Sequence, residues 1–368
     1  MRHDLLDDKF GRFREIPLAL ARRGHEVQGF CLSYDRREER EIIDEDDSSG
    51  ARITWRSVNA GRLKFPGLLR YHRHIEHLLN KLRPDVLWAC SDSFYGIMGT
   101  RLARKTKTHC VFDLYDNFES FASTHVPGVL PLYRRAVRSA DGVTCVSNAL
   151  MGLVSEKYRR TKPTIVLSNA IQDTIFYPRD KNHCRRRLGL PLDAKIIGTA
   201  GALSGNRGIH ALLEGFEKLA AQDKNVHLAV AGPRDRRIQI PIGPRVHDFG
   251  VLPVQQVPIL ISALDVAVIC NRDSSFGRYC FPQKAYEIMA CRVPVVAASL
   301  GTMKEMLDCN SKSLFEPENS DDLMRVVKAQ LHDPFISELD VPTWDDIGER
   351  LERFLQKVVL DAPRRIHA

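Results

Sequence analysis

Residues 195–208 read Lys195-Ile196-Ile197-Gly198-Thr199-Ala200-Gly201-Ala202-Leu203-Ser204-Gly205-Asn206-Arg207-Gly208. An apolar, partly β-branched run ends in a glycine-bearing loop, and Ile209 to Gln222 then carries apolar residues at helical spacing. A second apolar run, Val226 to Ala231, follows at once. Strand, short turn, helix and strand in that order is how a parallel sheet with crossover helices is written, so the fold class is α/β.

The same rhythm extends in both directions. Towards the C-terminus it predicts strands at Val246 to Phe249, Val266 to Asn271 and Val293 to Ala298, with helices at Val254 to Ala263 and Gln283 to Ala290. Towards the N-terminus it predicts strands at Glu26 to Leu32, Asp85 to Cys90, His109 to Leu114, Gly142 to Val146 and Thr164 to Leu167. The helices expected there are Arg12 to Arg23, Leu68 to Lys81, Gly96 to Lys105, Leu132 to Ala140 and Asn148 to Tyr158.

A chain of 368 residues with 43% hydrophobic content is too long for one ordinary core. The expected division is an N-terminal domain over 1–175, a linker over 176–194 and a C-terminal domain over 195–342. Residues 343–368 form a helix, opened by Trp344, that crosses back to the first domain. The linker assignment rests on Pro178, Gly189, Pro191 and a run of charges without either period.

The apolar runs fall far short of the ~20 residues of a membrane span. The opening residues Met1 to Asp8 lack a basic stretch followed by an apolar core, so a cytoplasmic protein is expected. Nine cysteines without a CxxC pair read as reduced core residues. A formal charge of +8 points to a polyanionic partner: phosphorylated substrates, an anionic membrane surface or nucleic acid. The basic residues cluster at Arg12 to Arg23, Arg70 to Lys81, Arg134 to Arg138 and Arg185 to Arg187. No nucleic-acid recognition motif accompanies them, so nucleic acid is set aside. A peripheral position at the inner face of the plasma membrane fits the remainder.

Open parallel sheets bind ligands at the carboxyl ends of their strands. The loop Gly201 to Gly208 has two readings there: a diphosphate cradle of backbone amides with the Arg207 guanidinium, or a plain turn with an exposed arginine. Lys284 and Glu287, three apart on one helix face, are either ligand contacts or a surface ion pair. Asp44-Glu45-Asp46 matches the Asp-x-Asp metal motif known from sugar-transferring enzymes, but sits in a polar run without a flanking apolar strand. It reads as a solvated loop, so no metal and no cofactor are expected.

The run Phe281-Pro282-Gln283-Lys284-Ala285-Tyr286-Glu287-Ile288-Met289-Ala290-Cys291-Arg292-Val293-Pro294 resembles the donor-binding segment of glycosyltransferase family 4, retaining enzymes of the GT-B fold. Arg22 to Val27, Ser168 to Ile171, Asn206-Arg207-Gly208 and Gly301 to Glu305 fall in the order that family uses. The resemblance implies two Rossmann-like, doubly wound parallel-sheet domains facing a cleft. It also implies a metal-independent, hexosyltransferase-type enzyme that moves a sugar from a nucleotide diphosphate sugar to a saccharide or lipid-linked acceptor, in polysaccharide or glycolipid biosynthesis.

Residue by residue, the resemblance makes Glu287 the carboxylate for the ribose hydroxyls. Tyr279 stands where the family's first glutamate falls. Of the family's phosphate-binding cations Arg207 is kept, the other position is Ala202, and Lys284 is the candidate replacement. Arg207, Lys284 and Asp116 are the expected catalytic residues. Gly201, Ser204, Gly205, Asn206, Tyr279, Phe281, Pro282 and Glu287 are the expected donor contacts, and Ser91, Asp92 and Asn117 lie on the acceptor side. Asp116 touches a sugar or only caps the following turn.

The resemblance further places an apolar strand and a glycine-bearing loop ahead of the helix that begins near Gly11, whereas Met1 to Asp8 is polar. The first strand of the N-terminal sheet is therefore expected to be missing, with the true start upstream. Two other functions share the scaffold: a nucleotide-sugar epimerase, and a non-catalytic relative that binds nucleotide sugar.

Overall fold

The computed structural model describes residues 6, 11–33, 39–46, 49–59, 64–308 and 310–361. It divides into two compact units, residues 1–169 with 344–368 and residues 170–343. The first unit begins with α1 (Arg12–Arg22), β1 (Val27–Ser33), β2 (Glu41–Glu45) and β3 (Arg52–Asn59). It continues through α2 (Lys64–Leu82), β4 (Val86–Ala89), α3 (Ser93–Thr106) and β5 (His109–Leu114). The last elements of this stretch are α4 (Val129–Ser139), β6 (Gly142–Cys145), α5 (Asn148–Glu156) and β7 (Thr164–Val166).

The strands form two sheets, β1-β3-β2 and β4-β5-β6-β7, joined by no common strand among the described residues. β4 to β7 are all parallel, with Asp113 opposite Thr144 in the β5–β6 register. β1 and β3 are parallel, and Gly29 is required between them because the Trp55 ring lies where a side chain on residue 29 would start. An apolar cavity of about 840 Å³ is lined by Phe30 and Leu32 of β1 and by Leu87 and Trp88 of β4. It stands between β1 and β4, each an edge strand of its sheet among the described residues. Of the opening stretch Met1 to Asp8, only Leu6 lies within the described residues, and it is buried.

β2 and β3 were not among the expected strands. β2 pairs antiparallel with β3 and carries Asp44, which is 7% exposed and bonded to the Arg14 guanidinium at 2.8 and 3.0 Å. The reading of 44–46 as a solvated loop is therefore corrected. Asp44 and Asp46 are occupied by arginines of α1, Asp46 by Arg22 at 3.4 Å.

The second unit opens with α6 (Lys181–Leu188), β8 (Lys195–Ala200), α7 (Ile209–Gln222), β9 (Val226–Ala231) and β10 (Val246–Asp248). After these come α8 (Val257–Ala263), β11 (Val266–Ile269), α9 (Gln283–Ala290) and β12 (Val295–Ala298). α10 (Gly301–Leu307), β13 (Leu314–Phe315) and α11 (Ser320–His332) complete it. Its six strands are all parallel in the order β10-β9-β8-β11-β12-β13. Ile197, Val230, Val268 and Val296 point into one fully buried core under Leu212 and Phe216 of α7.

The expected linker 176–194 holds an ordered helix instead. Asp180 caps α6 by accepting the His183 N–H, and Gly189, at φ 67, ends it. Arg185, only 2% exposed, bonds to Asp265 at 2.6 Å and to the carbonyls of Ala263, Leu192 and Ala194. A helix that buries an arginine and Cys184 has no apolar stripe, which is why periodicity misses it. The division between units falls at Asn169 and Ala170, not at 175.

The chain returns to the first unit with α12 (Trp344–Asp361). Gly348 lies against Ala19 of α1, and Gly142 of β6 lies against Phe354 and Val358 of α12. Among the described residues no helix is long and apolar enough to cross a membrane.

Candidate active site

In a doubly wound sheet the ligand crevice opens where the strand order reverses. In the second unit that point lies between β8 and β11, which pair directly at Val266 with Ile197. Two connections leave there, Gly201–Gly208 after β8 and Cys270–Pro282 after β11. Both carry residues singled out from sequence.

The first connection is anchored by Leu203, fully buried, whose N–H donates to the Pro233 carbonyl at 2.8 Å. A single 3-10 turn over Gly205–Arg207 follows, so the loop does not run straight into α7 as the sequence suggests. Gly208, at φ 69, breaks this turn and starts α7, and a Cβ there would sit 3.3 Å from the Asn271 carbonyl carbon. The two connections thus touch through backbone. Among the described residues the N–H groups of Gly205 and Asn206 have no acceptor, which leaves two donors for an anion.

The helix that follows the second connection brings a second cation to this loop. Lys284, in the first turn of α9, lies with Cε and Nζ each 3.4 Å from where a side chain on Gly201 would begin. Burial, and then the neighbouring Arg207 charge, pull its ammonium down to about 8. The Arg207 guanidinium stacks 4.4 Å from the Phe276 ring centroid, which sets the plane of its donors. Ala202 is exposed and contributes no charge, and Arg272, beside Gly208, is paired with Glu318 at 2.7 Å, so Arg207 and Lys284 are the cations of this loop, among the described residues, without a carboxylate bond.

One turn along α9, Glu287 accepts from the Gln283 side-chain amide at 3.1 Å. Desolvation pushes its carboxyl up to about 7, against the opposing pull of Lys284. Glu287 and Lys284 are not bonded to each other, so the surface ion-pair reading of this couple is corrected. A half-buried carboxylate with its remaining oxygen open suits a pair of vicinal hydroxyls.

The other expected donor contacts divide. Ser204 and Tyr279 are half-buried and Asn206 is exposed, all in the two connections. Phe281 and Pro282 are buried instead, and Phe281 packs 4.8 Å from the Tyr286 ring, so they hold the start of α9 in place. Phe276 and Gln283 were missed from sequence. Phe276 lies in the polar stretch Arg272 to Tyr279, where no period marks it.

In the first unit the expected residues stand at the carboxyl ends of β4 and β5. Ser91 has φ 90, an uncommon conformation for a serine. Asp92 caps α3 by accepting the N–H groups of Phe94 and Tyr95 at 2.7 and 3.2 Å, and burial raises its carboxyl. Asp116 accepts the Asn117 N–H at 2.7 Å, and Asn117 accepts that of Glu119 at 3.2 Å. Asp92, Asp116 and Asn117 therefore each have a turn-forming task. The strongest polar group there was not foreseen. Asp113, fully buried, takes two bonds from Arg12, at 3.0 and 2.6 Å, and one from Thr144 at 2.5 Å.

Residues 12–170 match the Glycosyl transferase 4-like domain family, and residues 194–333 match Glycosyl transferases group 1. The chain is a GT-B glycosyltransferase of the family 4 type. The putative teichuronic acid biosynthesis glycosyltransferase TuaC of Bacillus subtilis is 25% identical over 73% of this chain and 69% of its own length. The D-inositol 3-phosphate glycosyltransferase of Geodermatophilus obscurus is 30% identical over 46% of this chain, and less than half of its own length, 40%, is spanned. The catalytic domain of starch synthase IV from Arabidopsis thaliana, bound to ADP and acarbose, superposes with a TM-score of 0.68 at 14% identity, covering 96% of this chain and 97% of that one. This glycosyltransferase therefore carries its switch-point residues on a fold shared with sugar-transferring enzymes.

Proposed function

We propose that this glycosyltransferase holds a nucleotide diphosphate sugar at the β8–β11 switch point and transfers the sugar, with retention, to a saccharide or lipid-linked acceptor in polysaccharide or glycolipid biosynthesis. The observation that carries the proposal is the placement of Lys284 over Gly201, beside Arg207 and two unpaired amides. As the bond between the anomeric carbon and the diphosphate breaks, negative charge collects on the leaving oxygen. Arg207, Lys284 and the amides of Gly205 and Asn206 neutralise that charge where it forms. Glu287 takes the ribose hydroxyls, one turn further along the same helix. This division of work needs no metal from the residues named. The starch synthase IV structure holds a nucleoside diphosphate and a saccharide, the two ligand classes the proposal assigns here.

Calorimetric titration with a panel of nucleotide diphosphate sugars, paired with product analysis, tests it. A preferred donor, transferred to an added acceptor, is expected. Conversion of the donor in the absence of an acceptor would instead mark an epimerase, and binding without turnover a non-catalytic relative.

A further inference from the structure

His227 of β9 and His247 of β10 meet at the edge of the second sheet. His227 Nδ1 and His247 Nε2 are 3.0 Å apart, and the two half-buried rings lie within 9° of parallel with centroids at 5.3 Å. At that separation one nitrogen carries a proton and the other a lone pair, so the contact holds while the pair is neutral or carries a single charge. With both rings charged, two N–H groups face each other and the bond is lost.

The surroundings supply no counter-charge. His227 alternates along β9 with Val226, Leu228 and Val230, which point into the core beneath α7, so Glu214, Glu217 and Lys218 of that helix lie on the other face. On the face of the pair, Ile196 of β8 stands opposite His227 and is apolar. The charged groups that bear on His227 are Arg245, just before β10, and Arg185 of α6, both cationic. Asp248, at the end of β10, is held by Arg234 at 2.7 Å, and Asp265 is held by Arg185 and Lys181. Among the described residues neither ring has a carboxylate partner. Burial lowers both imidazoles below their ordinary 6.5, and the charges of His247 and Arg245 lower His227 further. The folded chain therefore binds fewer protons here than the unfolded one. Stabilisation by the pair is complete above 6.5 and is lost as the pH falls below it.

Little else holds β10. It is three residues long and forms the outer edge of the sheet, so it pairs with β9 alone. Around the two rings, the Leu228 N–H donates to the Arg245 carbonyl at 2.8 Å and the Phe249 N–H to the Val230 carbonyl at 3.0 Å. Just beyond, the Gly232 N–H donates to the Gly250 carbonyl at 2.7 Å. Gly232, at φ 138, lies so close to Gly201 that a Cβ on it would overlap the Gly201 carbonyl oxygen. The loop that begins at Gly201 thus leans on a residue tied to the end of β10.

We propose that the His227–His247 contact is an acid-released latch: when both rings are charged, β10 parts from β9, and the Gly201 loop loses the backing that the Gly250–Gly232 bond gives it. The opening is local, because β8, β11 and β12 keep their own ladders and the core beneath α7. The effect on donor binding rests on the proposed function, whereas the opening itself does not.

The test is hydrogen exchange of the full chain without donor, followed above and below pH 6.5 and corrected for the intrinsic rate. An opening that takes up one proton more than the closed state shifts about tenfold per pH unit. Protection of the Leu228, Gly232 and Phe249 amides should fall at that rate on the acid side, while the amides of β11 and β12 hold theirs. His247→Gln cannot take a charge and should flatten the dependence, whatever its level of protection. His332→Gln, exposed at the end of α11, should leave the dependence as it is. An equal acid slope in His247→Gln would overturn the proposal, as would a loss shared by every strand of the unit, which is global unfolding. Donor titration separates the two readings. His247→Gln should make the acid limb of donor binding shallower, leaving the one proton of Glu287, and a limb of unchanged steepness would overturn the link to the Gly201 loop. A chain that binds no nucleotide sugar yet shows the exchange slope would overturn the proposed function and uphold the latch.

Discussion

Lys284 spreads its ammonium over the α-carbon of Gly201, with Nζ 3.4 Å from the place where a side chain there would start. Gly201 itself has φ 115, a conformation open to glycine. Both facts bear on one substitution. Gly201→Ala imposes a strained backbone and sets a methyl group in contact with the Lys284 ammonium, where a diphosphate would otherwise approach it, so donor affinity should fall by about tenfold or more. The strain should also lower the melting temperature by a few degrees, at about 2–4 °C per kcal/mol for a unit of this size. Titration with the preferred donor checks the first outcome and thermal unfolding the second. Unchanged affinity would separate Lys284 from the donor.

Lys284→Ala removes one of two cations from the proposed leaving group. Loss of a single group that stabilises developing charge costs about 10²–10³ in kcat. The same loss in kcat with little change in the donor KM is expected if the contact strengthens as charge develops. Lys284→Arg should restore part of the rate, since it keeps the charge but not its compact shape. Arg207→Ala should act in the same direction, and Phe276→Ala more mildly, by releasing the guanidinium from its ring.

The fold was largely legible because strands and crossover helices of a parallel sheet are written as short apolar runs and amphipathic stretches. His109 to Leu114, Lys195 to Ala200, Val226 to Ala231, Ile209 to Gln222 and Gln283 to Ala290 have the bounds read from sequence. Of the elements that escaped, β3 and α11 do carry that signature, with Ile53, Trp55 and Ser57 alternating inward and Leu323, Val326 and Val327 on one helix face, whereas β2 and α6 lack it. β2 is a half-exposed edge strand of acids, and α6 buries an arginine instead of an apolar stripe. Of the candidate site residues, those that a motif marked, Arg207, Lys284 and Glu287, stand together at the switch point of the second sheet. Phe276 and Gln283 were not legible, because each acts by supporting a neighbour whose position only the folded chain defines. Asp113 escaped for a related reason: its partner Arg12 is 101 positions away, and no local spacing links them.

Donor binding should follow a bell in pH, its acid limb set near about 7 by Glu287 and its basic limb near about 8 by Lys284. Lys284 must be charged to hold a diphosphate, and burial lets it lose its proton near about 8. Glu287 must be ionised to accept two hydroxyls, and burial keeps its proton until about 7. Affinity should therefore be greatest between these values. Binding releases a proton from Glu287 on the acid side and takes one up at Lys284 on the basic side. Calorimetry in buffers of different ionisation enthalpy reads both signs, and proton exchange of the opposite sign would overturn the assignment.

The same shift has a consequence for stability. A carboxyl whose folded value lies above its ordinary 4.5 binds protons more tightly folded than unfolded. Its contribution to stability is therefore favourable in acid and is lost as pH rises from about 4.5 through about 7. Glu287→Gln should raise the melting temperature at pH values above that window and leave it little changed below. Donor affinity should fall at the same time, the usual opposition between a poised site and a stable one. A lower melting temperature in the alkaline range would show that Glu287 is structural.

Arg12 and Asp113 provide the contrasting case, a buried pair with no proposed part in donor binding. Their side chains are 5% and 0% exposed, and Arg12 also donates to the carbonyls of Leu167 and Ser168 at 2.9 and 3.0 Å. The pair thus ties the start of α1 to β5 and to the segment after β7. Removing one partner leaves the other buried and uncompensated, at a cost of about 3–5 kcal/mol. Asp113→Ala should lower the melting temperature by on the order of 10 °C, at about 2–4 °C per kcal/mol. The double substitution Arg12→Met with Asp113→Leu should recover much of that loss, because it removes both charges from the interior. Donor titration of Asp113→Ala, below its melting transition, should match the unsubstituted chain within about twofold, since the donor residues proposed here all belong to 170–343. A collapse of donor affinity would place Asp113 in the donor site itself.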